Sequence, residues 1–314
     1  MKLDVDINLP SGILPASSLI ICSRNRPRLL LETVYSVLQG TQVPGEILII
    51  DQSEIPNLEL IDLGGSRECQ IRYVHSQSVG LSRARNEGMR AASQEVYIFI
   101  DDDMYVAKNW YELLIQALIK AGPQSVVTGR VLPGHSDKSS GFAGTLVERD
   151  WPAIYRGRIG TDVLAGCHMA MYRSIYLEVG TFDERLGAGS RFGAEDNDYG
   201  FRVLEAGKSI VYEPQAIVYH RAWRDYRDYL PLRWAYGRGK GGFYTKYLSL
   251  KDPYMLLRML QDLSIRFIRF PWRVFHKPRL AIGDLYYAFG MISGSVEWMW
   301  TYRFNRASPP DTQS

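Results

Sequence analysis

Three consecutive carboxylates, Asp101, Asp102 and Asp103, follow at once on the apolar run VYIFI at 96–100. Carboxylates this close repel one another unless a cation or several donors sit among them, and hard oxygen ligands suit Mg²⁺ or Mn²⁺. The plainer alternative is a solvated acidic turn capping the next helix, where Asp complements the helix dipole. Placement directly behind a buried strand favours the metal. A second acidic group, Glu195, Asp196 and Asp198 in GAEDND, stands immediately before a predicted helix. Alone it reads as carboxylates stabilising a helix start. His220 closes the run AIVYH, 24 residues after Asp196. A lone histidine there would more often be an ordinary core or surface residue, but two acidic clusters with a histidine form a more pointed set.

Elements that could hold these groups are visible upstream. SLIIC (18–22), EILIID (46–51), IRYVHS (71–76) and VYIFI read as short buried strands. Leu30, Val34, Val37 and Leu38 recur at helical spacing between the first two, and another helix begins near Leu81. The alternation predicts an α/β fold with a mostly parallel central sheet and helices on both faces. Ligands on such sheets bind outside the carboxyl ends of the strands, here Cys22-Ser23-Arg24, Asp51-Gln52-Ser53 and Asp101-Asp102-Asp103. Trp110, Leu113, Leu114, Ala117 and Leu118 predict a helix packed on the core. Residues 133–160, rich in Gly and Pro, predict a long irregular substrate loop. An apolar segment at 163–172, a helix at 199–206 and strands near Ile210 and Ala216 follow. From Trp223 the chain is basic, aromatic and helical in pattern.

Composition narrows the function classes. With 46% hydrophobic residues, 20 Tyr and 7 Trp in 314 residues, a disordered or fibrous chain is excluded. The net charge of +3 hides an asymmetry: residues 1–220 carry 21 basic and 27 acidic groups, whereas 221–280 carry 14 and 4. The two parts therefore face different partners. Cys22, Cys69 and Cys167 form neither a CxxC motif nor an even set, which suits a reducing cytoplasm without a disulfide framework. The first residues lack the pattern of a signal peptide. The apolar stretch 281–302 is interrupted by Asp284 and Glu297, against a membrane crossing. Gly237, Gly239 and Gly242 spell GxGxxG with no strand before them, so a dinucleotide site is not expected; Gly239-Lys240 suggests a flexible cationic loop. The basic aromatic segment could stack on nucleic acid, but peripheral contact with the inner face of a membrane explains it better, with Trp272, Phe275, Trp298 and Trp300 at the headgroup level. Nothing fixes an oligomeric state.

Over residues 18–222 the chain resembles inverting glycosyltransferases of family 2, built on the nucleotide-sugar-binding GT-A fold. The resemblance rests on SLIICSRNRPRLLLETVYSVL, LIIDQSE, VGLSRARNEGMRAA, VYIFIDDDMY, LAGCHMAMYRS and FDERLGAGSRFGAEDNDYGFRVLEAGKSIVYEPQAIVYH, in that order. It implies a GT-A domain at 15–222 between an N-terminal extension (1–14) and a basic helical extension (223–314). It implies that Asp101 and Asp103 form the DxD pair holding Mn²⁺ or Mg²⁺ on the donor diphosphate, with Asp102 between them, and that His220 completes the metal site. Asp196 matches the catalytic base of the ED motif. Cys22, Ser23, Arg24 and Gln52 fall where the family binds the nucleotide, and Arg85 lies near the donor. Gly166, Cys167 and His168 match the loop beside sugar and acceptor, to which Glu195 is added. Gln52 stands where an acidic residue is common; its amide has a donor and an acceptor for a uracil or thymine edge, so UDP or dTDP is the expected nucleotide. Arg233-Trp234 complete only half of the QxxRW motif of processive members, with Leu230 in place of Gln. The expected reaction is metal-dependent transfer of one sugar to a glycan or lipid-linked acceptor, in bacterial cell-surface polysaccharide or glycolipid assembly. The rivals are a non-catalytic binding member of the fold and a sugar-nucleotide pyrophosphorylase, whose Gly-rich N-terminal loop is missing here.

Overall fold

The computed structural model describes residues 14–62, 69–135, 141–221 and 223–304, so the expected N-terminal extension and the last ten residues lie outside the described part. Strands β1 (Ser17–Ser23), β2 (Glu46–Asp51), β3 (Gln70–His75) and β4 (Val96–Asp101) are parallel neighbours in the order β3-β2-β1-β4. Helices α1 (Pro27–Leu38), α2 (Leu58–Asp62) and α3 (Leu81–Ala91) connect them. Alternation sorts the side chains: Leu19 and Ile21 of β1 join one core cluster with Val34 and Leu118, while Ile20 joins the other with Ala84 and Met89. Burial on both faces is why these strands read as unbroken apolar runs. Proline at the first position of α1 loses no helical hydrogen bond.

The rest of the sheet is mixed. After β5 (Met104–Val106) and α4 (Trp110–Ala121), β6 (Ser125–Pro133) is separated from β4 by β9 (His168–Tyr172), antiparallel to both. The 133–160 connection is mostly irregular, as expected, but includes β7 (Phe142–Ala143) and β8 (Ala153–Arg156). Helices α5 (Arg173–Val179) and α6 (Glu195–Glu205) precede β10 (Ser209–His220). The strands expected near Ile210 and Ala216 are this one strand, whose register slips between Glu213 and Ile217, around Pro214. Helix α6 starts at Glu195, four residues before the expected 199, so the acidic group forms its first turn.

After the short strand β11 (Trp223–Arg224) come α7 (Tyr229–Tyr247), α8 (Tyr254–His276) and α9 (Pro278–Trp298). Gly239 and Lys240 are not a flexible loop: they lie within α7, and buried Lys240 pairs with Asp162 at 2.6 Å. The glycines serve a close crossing. A Cβ on Gly237 would sit 2.0 Å from the Tyr287 carbonyl oxygen, one on Gly241 2.0 Å from that of Met291, and one on Gly294 2.0 Å from that of Arg238. The helical unit also grips the loop before α6, with Gly239 against the Gly193 backbone and Trp298 edge-on to Phe192 at 5.2 Å. Trp298 is therefore core, not a headgroup residue.

Candidate active site

Register gathers the site at one sheet edge. Ser23 of β1 pairs with Asp51 of β2, and Cys22 with Asp101 of β4. Beyond β4 the chain turns through Asp102 and Asp103 into β5, which runs antiparallel to β10 so that Met104 faces His220. A strand separated from the acidic triplet by more than a hundred residues thus delivers the histidine beside it.

The three carboxylates have distinct environments. Buried Asp102 accepts from Ser23 Oγ (2.7 Å) and from Arg26 Nη1 (3.1 Å). Burial pushes its carboxyl up to about 6, against the pull of Arg26 and with the repulsion of Asp103. Asp103 Oδ2 accepts from the same Arg26 nitrogen at 3.0 Å, while its Oδ1 is buried without a partner. His220 Nε2 lies 3.8 Å from that Oδ1, beyond hydrogen-bond reach, and His220 Nδ1 has no partner either. Asp101 turns instead to Arg85 Nη2 at 3.2 Å; burial raises its carboxyl, Arg85 opposes this and Asp103 adds to it.

An orphaned carboxylate oxygen facing an imidazole nitrogen is a donor pair suited to a divalent ion, so Asp103 and His220 fit the expected metal. Among the described residues no three such side chains are gathered as a ready cage, and Asp101 points to Arg85 rather than to His220. Asp103 and His220 would thus be the protein's own ligands to such an ion. Arg26, which sequence reasoning did not single out, is 43% exposed and bridges Asp102 and Asp103.

Opposite lies the α6 start. Ala194 takes the left-handed conformation, φ 73°, a strained geometry for a residue with a Cβ and typical of functional sites. It turns Glu195 and Asp196 towards Arg85, a buried arginine on α3. Arg85 Nη1 donates to Glu195 (3.0 Å) and Nη2 to the Gly166 carbonyl (2.9 Å) as well as to Asp101. This one side chain links the triplet, the α6 start and the loop before β9. A Cβ on Gly166 would meet Asp196 Cβ at 2.8 Å, so glycine is needed for the approach. Burial, then the neighbouring Glu195 charge, pushes the Asp196 carboxyl up to about 7, with Arg85 holding it down and Asp162 adding repulsion. A half-buried carboxylate poised at neutrality suits a general base. Asp198, two residues on, is fully buried among Arg202, Lys246 and Tyr247 and is structural.

Several expected site residues have other duties. His168 is core: its Nε2 accepts from Trp110 Nε1 (2.8 Å), and burial pushes the imidazole down to about 3, so it is neutral and does not face a substrate. Cys167 is buried and its thiol is raised by that burial; the Cys22 thiol is pushed up to about 12 for the same reason, so neither is an ionised nucleophile. The amide of Gln52, expected to read a base, is spent internally: Nε2 donates to Ser78 Oγ (2.8 Å) and Gly80 O (3.2 Å), and Oε1 accepts from Gly80 N (3.1 Å). It fixes the turn before α3, where Gly80 has φ 123°. Arg24 is exposed beside this edge, and Ser23 is held by Asp102.

The sheet order, with an acidic turn after the fourth strand, defines a GT-A fold. The chain matches the family model described as glycosyl transferase family 2 over residues 18–180, more than half its length, and belongs to that family. It is 28% identical over 228 residues to a pre-mycofactocin glycosyltransferase of Mycobacterium tuberculosis (strain ATCC 25618 / H37Rv), covering 70% of this chain and 46% of that protein. A polypeptide N-acetylgalactosaminyltransferase 11 of Xenopus tropicalis is 28% identical over 234 residues, covering 66% of this chain and 38% of its own length. The chain thus spans less than half the length of these relatives. The mannosyltransferase PcManGT of Pyrobaculum calidifontis, solved with GDP-Man and Mn²⁺, superposes with a TM-score of 0.61 at 13% identity over 93% of this chain and 89% of that one. GalNAc-T7, solved with UDP, GalNAc and Mn²⁺, gives 0.52 at 20% identity over 77% of this chain and 53% of that one.

Proposed function

We propose that the protein transfers one sugar from a nucleotide-sugar to a hydroxyl acceptor, with inversion and with a divalent ion, and that Asp196 is the base. The observation carrying this reading is the placement of Asp196, its carboxyl raised to about 7, beside Glu195, which Arg85 ties to Asp101 of the acidic edge that would receive the donor. As the acceptor hydroxyl attacks the anomeric carbon, Asp196 takes its proton, and one displacement from the opposite side inverts that centre. Glu195 keeps the Asp196 proton affinity high and anchors Arg85. Asp103 and His220 would hold Mn²⁺ or Mg²⁺, whose charge compensates the departing diphosphate. Exposed Arg24 would meet phosphate oxygens, as would the Arg26 guanidinium on leaving Asp102 and Asp103. Arg85 orders the site by fixing Asp101, Glu195 and the Gly166 carbonyl.

The acceptor is a glycan or a lipid-linked glycan of bacterial cell-surface polysaccharide or glycolipid assembly, met by a protein lying peripherally on the inner face of the cell membrane. The cationic, apolar character of 223–300 supports this part. For the nucleotide, UDP or dTDP is retained on the likeness to GalNAc-T7, whose structure holds UDP; PcManGT holds GDP-Man, and Gln52 gives no support. Incubation with a panel of UDP-, dTDP- and GDP-sugars and Mn²⁺, with released nucleoside diphosphate as readout, tests the reading. Turnover of a pyrimidine-nucleotide sugar is expected. No turnover of any of them, with no nucleotide binding by calorimetry, contradicts it.

A further inference from the structure

The outer sides of α8 and α9 carry an apolar surface that no described residue covers. On α8, Leu257, Leu260, Ile268, Trp272 and Phe275 fall on one helical stripe, and Ile268 and Phe275 are 78% and 83% exposed. On α9, Ile282, Tyr286, Phe289, Ile292 and Val296 form a second exposed stripe, and Trp300 extends it. The inner sides are committed to protein: Gly283, Gly290 and Gly294 of α9 lie close against Tyr229, Trp234 and Arg238 of α7, and Arg258 pairs with Asp162.

Charge follows the same division. The acidic groups of the two helices are consumed by internal pairs: Asp262 by Arg266, Asp284 by Arg233, Arg266 and Arg273, and Glu297 by Arg238. Exposed Arg269, Lys277 and Arg279 have no carboxylate partner among the described residues. Among the described residues, the charged groups of α8 and α9 left unpaired at the rim of this surface are cations. A bilayer carrying anionic headgroups complements both features, whereas no helix among the described residues is long and apolar enough to cross a membrane. Helices that lie in the interface have this combination of apolar stripe, cationic rim and interfacial Trp.

We propose that the α8–α9 face lies in the headgroup layer of an anionic lipid bilayer. The inference deepens the membrane part of the function proposed above, on which it rests for its purpose. Its physical link to the site is α7, which packs on the inner side of α9 through the glycine crossing and meets the loop before α6 where Gly239 lies against the Gly193 backbone. Docking of α8–α9 would hold the base one helix away from a lipid-borne acceptor.

The test is flotation of the full chain with phosphatidylcholine vesicles, with and without phosphatidylglycerol. Wild type should float with the anionic vesicles, less so at high salt. Arg269→Gln/Lys277→Gln/Arg279→Gln should weaken binding about a hundredfold, at about 1 kcal/mol for each cation near the surface. Ile268→Ser/Phe275→Ser should abolish flotation while keeping the thermal melt and donor hydrolysis of wild type, since both residues are exposed. Wild type remaining at the bottom with anionic vesicles overturns the proposal. So does a solution dimer that the Ile268→Ser/Phe275→Ser variant converts to monomer, which would make this face a contact between copies. Donor hydrolysis without vesicles reports on the transfer chemistry separately, so failure of either reading is recognised by itself.

Discussion

Arg85→Gln is the most informative structural perturbation, because one buried guanidinium meets Asp101, Glu195 and the Gly166 carbonyl at 2.9–3.2 Å. Removing one partner of a buried ion pair leaves uncompensated charge and costs about 3–5 kcal/mol. That is a large share of the roughly 5–15 kcal/mol by which domains are stable, so the melting temperature should fall clearly. The second effect is on Asp196, the proposed base. Arg85 lowers an Asp196 carboxyl that burial and Glu195 have raised to about 7, so its loss moves that carboxyl higher still. The base works only when ionised; activity is lost as pH falls through its pKa. The acid limb of kcat/KM should therefore lie near pH 7 in wild type and at higher pH in Arg85→Gln. Arg85→Lys keeps a charge but cannot fork to three acceptors, and should keep the limb while losing part of the stability. The assay is transfer rate against pH, beside thermal melts of the three proteins. A glutamine variant with the wild-type melt and an unmoved acid limb would refute the reasoning.

Chelation should abolish transfer, and Asp103→Asn or His220→Ala should weaken Mn²⁺ binding in calorimetry by tenfold or more, on the scale of disrupted metal sites; unchanged affinity in both would remove the metal assignment. Gly241→Ala places a Cβ 2.0 Å from the Met291 carbonyl oxygen, so α7 and α9 must part, at about 1–3 kcal/mol in urea unfolding. An unshifted midpoint would contradict the close crossing. Asp196→Asn should melt above wild type at pH well over 7 and equal it below 3.8. The sign follows from a carboxyl whose folded pKa is raised from 3.8 to about 7: the unfolded chain releases that proton first, so wild-type stability falls as pH climbs between the two values, a loss the amide escapes. A variant that gains nothing at high pH would contradict the raised pKa.

The parts of the fold that were legible in the sequence share one physical cause. β1, β2 and β4 are buried on both faces, which demands unbroken apolar runs, and their carboxyl ends then locate Cys22, Asp51 and the acidic triplet. Features set by distant contacts were not legible. GAEDND reads as loop because Asp and Asn favour turns, yet Ala194 and the Arg85 charge start α6 there. Pro214 splits the pattern of β10 although the strand continues past its bulge. Glycines within α7 suggested a loop; the signal missed was reciprocity, Gly237 and Gly241 spaced by four against Gly290 and Gly294 with the same spacing. His168 opens the otherwise apolar run HMAMY, buried on both faces over its first four residues, which could have marked it as core. Arg26 is one of several arginines in CSRNRPR, and only the return of the chain at Asp102 and Asp103 selects it.

The central claim is that Asp196 is the base, and its direct test is transfer rate together with donor affinity in Asp196→Asn, Glu195→Gln and Asp198→Asn. The amide keeps the size of the carboxylate but cannot take a proton, so Asp196→Asn should lose roughly 10² to 10⁴ in transfer with donor affinity intact. Glu195→Gln should lose less, and Asp198→Asn should act on stability, since Asp198 is buried in ion pairs with Arg202 and Lys246. Near wild-type transfer by Asp196→Asn, or equal losses in all three variants, would contradict the assignment.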